Sequence, residues 1–188
     1  MKPWTRGEAT IREFLDKGWL QRVTGERTDG HAWLDKAGRT LTTSAAIADD
    51  DPESGLILCY DAGRHIGTGL LAQQGLRPTT DGGHVAVVRS VVAQFNGPFT
   101  ALDRLRRRRN DLQYPSFPGD LIDPGEVRAA VTTVQGFLDA ATALQPNSAC
   151  SPSSPGRSPG THGREDALRA LFRPSWSAPC RGTASPTG

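Results

Sequence analysis

The fold class that this 188-residue chain predicts is all-α: a bundle of five to six antiparallel helices followed by a disordered C-terminal tail. Three observations carry that expectation. Apolar residues recur at helical spacing through most of residues 1–145, while the alternation of a half-buried strand is almost absent. Two Asp-Pro steps, Asp51-Pro52 and Asp123-Pro124, place proline at a first helical position beside an acid, which marks a helix start. The connections between periodic stretches are short, and short connections favour antiparallel neighbours.

Taken in order, "GEATIREFLDKGWL" predicts a short amphipathic helix with Ile11, Phe14 and Leu15 together. "DGHAWLDKAGRTLTTSAAIA" places Leu34, Leu41 and Ala45 on one stripe, with Trp33 and Ala37 beside it. The helix opened by Asp51-Pro52 aligns Leu56, Cys59, Gly63, Ile66 and Leu70, and Gly75 supplies its stop. Gly55, Gly63, Gly67 and Gly69 inside it each cost about 1 kcal/mol relative to Ala, a cost that implies close approach by neighbouring helices. "LRPTTDGG" reads as a loop, and "HVAVVRSVVAQF" as a helix with Val85, Val88, Val92 and Phe95 on one face. "NGPF" breaks it. "TALDRLRRRRNDLQ" is an arginine-rich helix, "YPSFPGDLIDPG" a Pro-rich connection, and the last helix aligns Val127, Val131, Val134, Leu138 and Ala141.

These elements divide the chain into an N-terminal helical arm (1–27), a helical bundle (28–145) and a tail (146–188). In the tail 20 of 43 residues are Gly, Pro or Ser, a composition that cannot bury enough apolar surface to offset its ordering entropy. The island at 164–172, "REDALRALF", is too short to form a stable helix alone.

The totals exclude some classes of function. A formal net charge of +2 generates no global field, so any nucleic-acid role must rest on a local patch. No apolar run approaches the roughly 18–20 residues of a membrane span, and the N-terminal residues lack the pattern of a secretory signal. Mean hydropathy is −0.45. Three scattered cysteines suit neither a disulfide framework nor a zinc site. The expected setting is the cytoplasm, with no membrane association. Four histidines without paired spacing predict no metal site, and no phosphate-binding Gly-rich loop or other cofactor motif is present. The acidic run Asp49-Asp50-Asp51 reads as helix-end charge complementarity, and Cys59 as an inert core thiol.

Five of the six residues from Arg104 to Arg109 are arginine. At 100° per residue, Leu102, Leu105 and Leu112 fall within about 80° of one another and define the buried side of this helix. Arg107 points the opposite way, and Arg104, Arg106 and Arg108 lie on the flanks, where their stems can cover apolar surface. Arg109 falls inside the leucine arc. An unpaired guanidinium facing a core is too costly to keep, so Arg109 must be salt-bridged or line a cleft or subunit interface.

The order of parts resembles the HEPN family of small helical proteins. A small-residue helix ("YDAGRHIGTGLLAQQGLRP") is followed by "GGHVAVV", an "AQF" helix end, "RRRRNDLQY", and a final helix of the "VRAAVTTVQGFLDAA" type. "DRLRRRRNDLQYPSF" is similar to the form in small actinobacterial members, and the resemblance covers about 60% of the chain. It implies a helical bundle and metal-independent ribonuclease chemistry, whose signature is an Arg, often a polar residue, and a His after four to six intervening residues. Here Arg109 and Asn110 match, and the His position holds Tyr114, as in one branch of the family. Arg would hold the phosphate and its developing charge while His moves a proton near neutral pH. A tyrosine, with a reference pKa near 10 as a residue type, is a much poorer base but can donate a hydrogen bond or stack on a base.

On this resemblance Arg109, Asn110 and Tyr114 are the candidate catalytic residues, with Arg106, Arg108 and His84 as RNA contacts. His84, after "DGG", reads equally as a helix N-cap, and His65 as a structural core histidine. The implied assembly is a homodimer that joins two Arg109/Asn110/Tyr114 sets across one cleft. RNA or a nucleotide is the implied ligand, and a nucleotidyltransferase-type antitoxin an implied partner in a toxin–antitoxin or defence setting. Two other functions are open: a non-catalytic helical module that dimerises or binds nucleotide or RNA, and a structural interaction protein whose arginines pair with acidic neighbours.

Overall fold

The structure is a computed structural model and describes residues 6–95, 97–114 and 121–144. Over these residues it is all-α. Helix α1 spans Glu8–Asp16, α2 His31–Ile47, α3 Pro52–Gln73, α4 Gly83–Phe95, α5 Thr100–Gln113 and α6 Pro124–Ala143. The tail expectation for 146–188 lies outside the described residues.

Helix α3 is the axis of the fold and packs against α2, α4, α5 and α6. Asp51 starts it, accepting a hydrogen bond from the Ser54 N–H at 3.1 Å, with Pro52 in the first turn. Leu56, Cys59, Gly63, Ile66 and Leu70 are buried as the periodicity predicts, but so are Tyr60, His65, Thr68 and Leu71 on other sides. A helix buried all round needs small residues where its neighbours cross. A Cβ on Gly63 would stand 2.7 Å from Leu102 of α5, and one on Gly67 2.8 Å from Val87 of α4. Gly30 and Gly69 let α2 and α3 meet backbone to backbone, since a Cβ on Gly30 would lie 2.6 Å from the Gly69 carbonyl.

The predicted faces need three corrections. In α2 the buried stripe is Leu34, Ala37, Leu41 and Ser44, and Ala45 is exposed. Ser44 takes the inner position because its hydroxyl donates to the Gly55 carbonyl at 2.7 Å. In α4 the helix packs through Ala86, Val87, Val88, Ser90 and Val91, leaving Val85 on the surface and Val92 and Phe95 half-buried. A helix so rich in valine offers two apolar faces, and α1 and the glycines of α3 select between them. In α6 Ala130 and Phe137 join Val127, Val134 and Ala141 in the core, while Val131 and Leu138 are only partly covered.

Residues 76–83, predicted to be a loop, contain a strand. Leu76–Pro78 (β2) pairs antiparallel with Leu20–Arg22 (β1), with Gln21 opposite Arg77. Thr79 extends the join, its hydroxyl donating to the Gly18 carbonyl at 2.7 Å. With Ile11 and Phe14 fully buried, α1 is fastened to the α3–α4 connection. Asp49 of the acidic run pairs with Arg128 of α6. No helix among the described residues is long and apolar enough to cross a membrane.

Candidate functional site

Helices α3, α4 and α5 meet at Tyr60. Its ring is fully buried, and burial pushes its phenol up to about 12. Its hydroxyl is a protonated donor without a partner among the described residues. Two side chains flank the ring. His84, on the first turn of α4, lies 5.8 Å away between ring centroids at an interplanar angle of 44°. The Arg109 guanidinium carbon of α5 lies 6.0 Å from the Tyr60 centroid, the outer reach of a cation–π contact.

Arg109 is half-buried, as the helix projection requires, and no carboxylate among the described residues pairs with it. Its Nη1 donates to Asn110 Oδ1 at a long 3.4 Å, and its buried Nε has no partner among the described residues. The cost of that placement is offset in part by the Tyr60 ring, whose face attracts the cation. Of the outcomes the sequence left for Arg109, a salt bridge is not found among the described residues.

The rest of the arginine cluster is ion-paired. Asp103 Oδ1 accepts from Arg106 Nε at 3.0 Å, and Asp103 Oδ2 from Arg107 Nη2 at 2.9 Å. Arg108 reaches across to α6, its Nε 2.9 Å from Glu126 Oε1, so this candidate RNA contact also ties two helices together. Arg106 stays near the site, since its charge acts on the Tyr60 phenol.

His84 is helical, within the first turn of α4 rather than at its N-cap. Burial, then the Arg64 and Arg109 charges, lower its pKa below the ordinary histidine value, with Asp61 opposing. At neutral pH the ring is therefore uncharged and keeps one nitrogen able to accept a proton. Arg64, one turn beyond Tyr60, is held by Asp61 at 3.2 Å. His65 packs against Trp33 at 5.5 Å, and burial followed by the Arg64 and Lys36 charges lowers it to about 4. Its Nδ1 is buried without a partner among the described residues, so it is a core histidine left partly unsatisfied there.

Tyr114 sits at the C-cap of α5, its N–H donating to the Asn110 carbonyl at 2.9 Å, and is 79% exposed. Arg109 and Asn110 are thus together, His84 and Arg106 join them around Tyr60, and Tyr114 stands apart in solvent. Tyr60, Asp61 and Arg64 were missed. The signal was available in "YDAGRH": one aromatic and three polar residues interrupt a helix otherwise built of Gly, Ala, Leu and Ile. Cys59 is fully buried, and burial pushes its thiol up to about 12, which removes it as a nucleophile. No group of three or more His, Cys, Asp or Glu that could hold a metal ion occurs among the described residues.

No family model, curated protein or solved structure matches the chain.

Proposed function

We propose that this chain is an RNA-associated protein of HEPN type whose Arg109 pocket holds a phosphate of the RNA backbone. One observation carries the reading: a half-buried guanidinium with no carboxylate partner among the described residues, carrying an unpartnered buried Nε and seated against the Tyr60 ring. Arg106 and Arg107 share the Asp103 carboxylate and Arg108 pairs with Glu126. Arg109 instead keeps donors for a planar anion, and phosphate matches that fork. The test is fluorescence anisotropy with a labelled single-stranded RNA. Arg109→Ala is expected to weaken binding at least about tenfold, the loss of one charge-assisted contact worth roughly 1.5–3 kcal/mol, with the circular dichroism spectrum unchanged. Equal affinity in the two proteins contradicts the assignment.

Cleavage is the second reading, and the neutral His84 beside Arg109 favours it. In this scheme His84 accepts the proton of a ribose 2′-hydroxyl, and the 2′-oxygen forms a bond to phosphorus. The bond to the 5′-oxygen breaks, and that oxygen takes a proton from a water molecule that the protonated His84 reprotonates, which restores the neutral imidazole. The products are a 2′,3′-cyclic phosphate and a 5′-hydroxyl, with Arg109 sharing the charge that develops on the phosphoryl oxygens. His84 replaces the exposed Tyr114 as the group that moves the proton. If so, His84→Ala slows cleavage by roughly 10²–10⁴-fold, the usual contribution of a positioned base, while Tyr114→Phe changes it little. A rate that survives His84→Ala and falls with Tyr114→Phe reverses the roles. Pairing of two copies belongs to the same proposal, because Tyr114 and Leu121 expose apolar surface at the α5–α6 connection. Analytical ultracentrifugation should then show a dimer, and a strict monomer at high concentration excludes a shared cleft.

A further inference from the structure

Helices α1, α4 and α5 line an open groove of about 530 Å³. Val92 and Ala93 of α4, over the buried Val88, give it an apolar floor, and Arg89, Arg106 and Arg107 stand around it. The Arg89 guanidinium carbon lies 5.3 Å from the Phe14 ring centroid, and its charge reaches Glu13 of α1, outside the groove lining. Asp103, also in the lining, accepts from Arg106 and Arg107 together and holds both guanidiniums in place. Three cations face one carboxylate. The balance is positive beside an apolar floor, on a molecule whose formal net charge is only +2.

Arg106 links this groove to the surroundings of Tyr60 and Arg109. It lines the groove, and its charge is felt at Tyr60 together with that of Arg109. Arg106 and Arg109 are three residues apart on α5, neighbours on one face with Cβ atoms about 5–6 Å apart. Two cationic positions therefore follow one another along the helix, the second with an apolar recess beside it.

We propose that the groove is a second subsite for single-stranded RNA, taking the nucleotide next to the phosphate held at Arg109. This rests on the RNA reading above. The base lies on the partly exposed Val92 and Ala93, and its phosphate meets Arg89, Arg106 and Arg107. The recess falls in the volume range of small-ligand pockets, enough for one nucleotide. A base within a duplex is stacked and paired and cannot enter it, so the subsite selects an unpaired strand. An acidic peptide satisfies the arginines equally well but gives the apolar floor no regular partner, whereas a nucleic-acid strand alternates charge with a flat apolar ring.

The experiment compares binding of a uridine dinucleotide, which carries one phosphodiester, with a uridine octanucleotide, an octamer of abasic ribose phosphate, a duplex RNA and an octaglutamate peptide. Proteins are the wild-type chain, Arg89→Glu, Arg107→Glu and Arg109→Ala, each checked for an unchanged melting temperature. The wild type should bind the uridine octamer at least tenfold more tightly than the dinucleotide, the abasic octamer or the duplex. Arg89→Glu and Arg107→Glu should each remove most of the octamer advantage and leave dinucleotide affinity within twofold. Octamer binding unaffected by both reversals, equal losses for dinucleotide and octamer, or octaglutamate binding as tight as the octamer would each overturn the subsite. Dinucleotide binding that survives Arg109→Ala removes the pocket reading instead, and an octamer advantage still sensitive to Arg89→Glu then supports the groove independently.

Discussion

Arg109 was legible as an anomaly before its surroundings were. The helical projection of α5 puts it among Leu102, Leu105 and Leu112, and an arginine there has few permitted explanations. Its partners were not legible, because Tyr60 and His84 reach it from α3 and α4 through packing between elements distant in sequence. The resemblance to HEPN pointed to Tyr114, five residues along. A single helix cannot bring those two together here, since Tyr114 is the C-cap and projects into solvent. At the same scale His65 makes a pH prediction. Its folded pKa of about 4 lies below the unfolded value of 6.5, so the unfolded state binds the extra proton first. Stability should be fully present above pH 6.5, fall as pH drops toward 4, and lose no more from this residue below that. The loss across the window is on the order of 3 kcal/mol. Urea titrations between pH 7 and 4 measure it, and His65→Leu should flatten that part of the profile. An unaltered profile in the variant contradicts the burial argument.

Helices were readable as elements, and their inner faces only partly so. Asp51-Pro52 and Asp123-Pro124 mark the starts of α3 and α6 because capping and proline geometry are local. The choice of face in α4 is not local: its valines cover most of the circumference, and the glycines of α3 decide which ones meet the core. The β1–β2 pair escaped for a different reason. Strands of three residues are too short to show a period of two, and their pairing joins positions more than fifty residues apart. The four-glycine cost in α3 was correctly traced to close packing. That packing gives a paired prediction about Gly30 and Gly136. Gly30→Ala must move backbone, since its Cβ would stand 2.6 Å from the Gly69 carbonyl, and should destabilise by about 1–3 kcal/mol. Gly136 on α6 has open space around it, so Gly136→Ala should stabilise by up to about 1 kcal/mol. Thermal melts of the two variants should move in opposite directions. A shift of the same sign would mean that the α2–α3 approach is not close.

For the whole molecule, composition was a guide to fold class and a poor guide to function. Helical periodicity and short connections gave the all-α bundle without contact information. The formal net charge of +2 conceals a local arrangement in which acids pair with some arginines and, among the described residues, none pairs with Arg109. Binding of RNA should therefore depend on salt through a few contacts and not through a general field. With about three phosphates neutralised, the logarithm of affinity should fall against the logarithm of salt with a slope near −2. A slope near zero would mean that phosphates are not what the chain recognises. Most direct of all is the Arg109 Nε–H resonance in a ¹⁵N-resolved NMR titration with a short single-stranded RNA. If Arg109 holds a backbone phosphate, that resonance should shift and saturate at the same RNA concentration as anisotropy, and be missing in Arg109→Ala. An RNA that binds while the Arg109 signal stays in place would contradict the central claim.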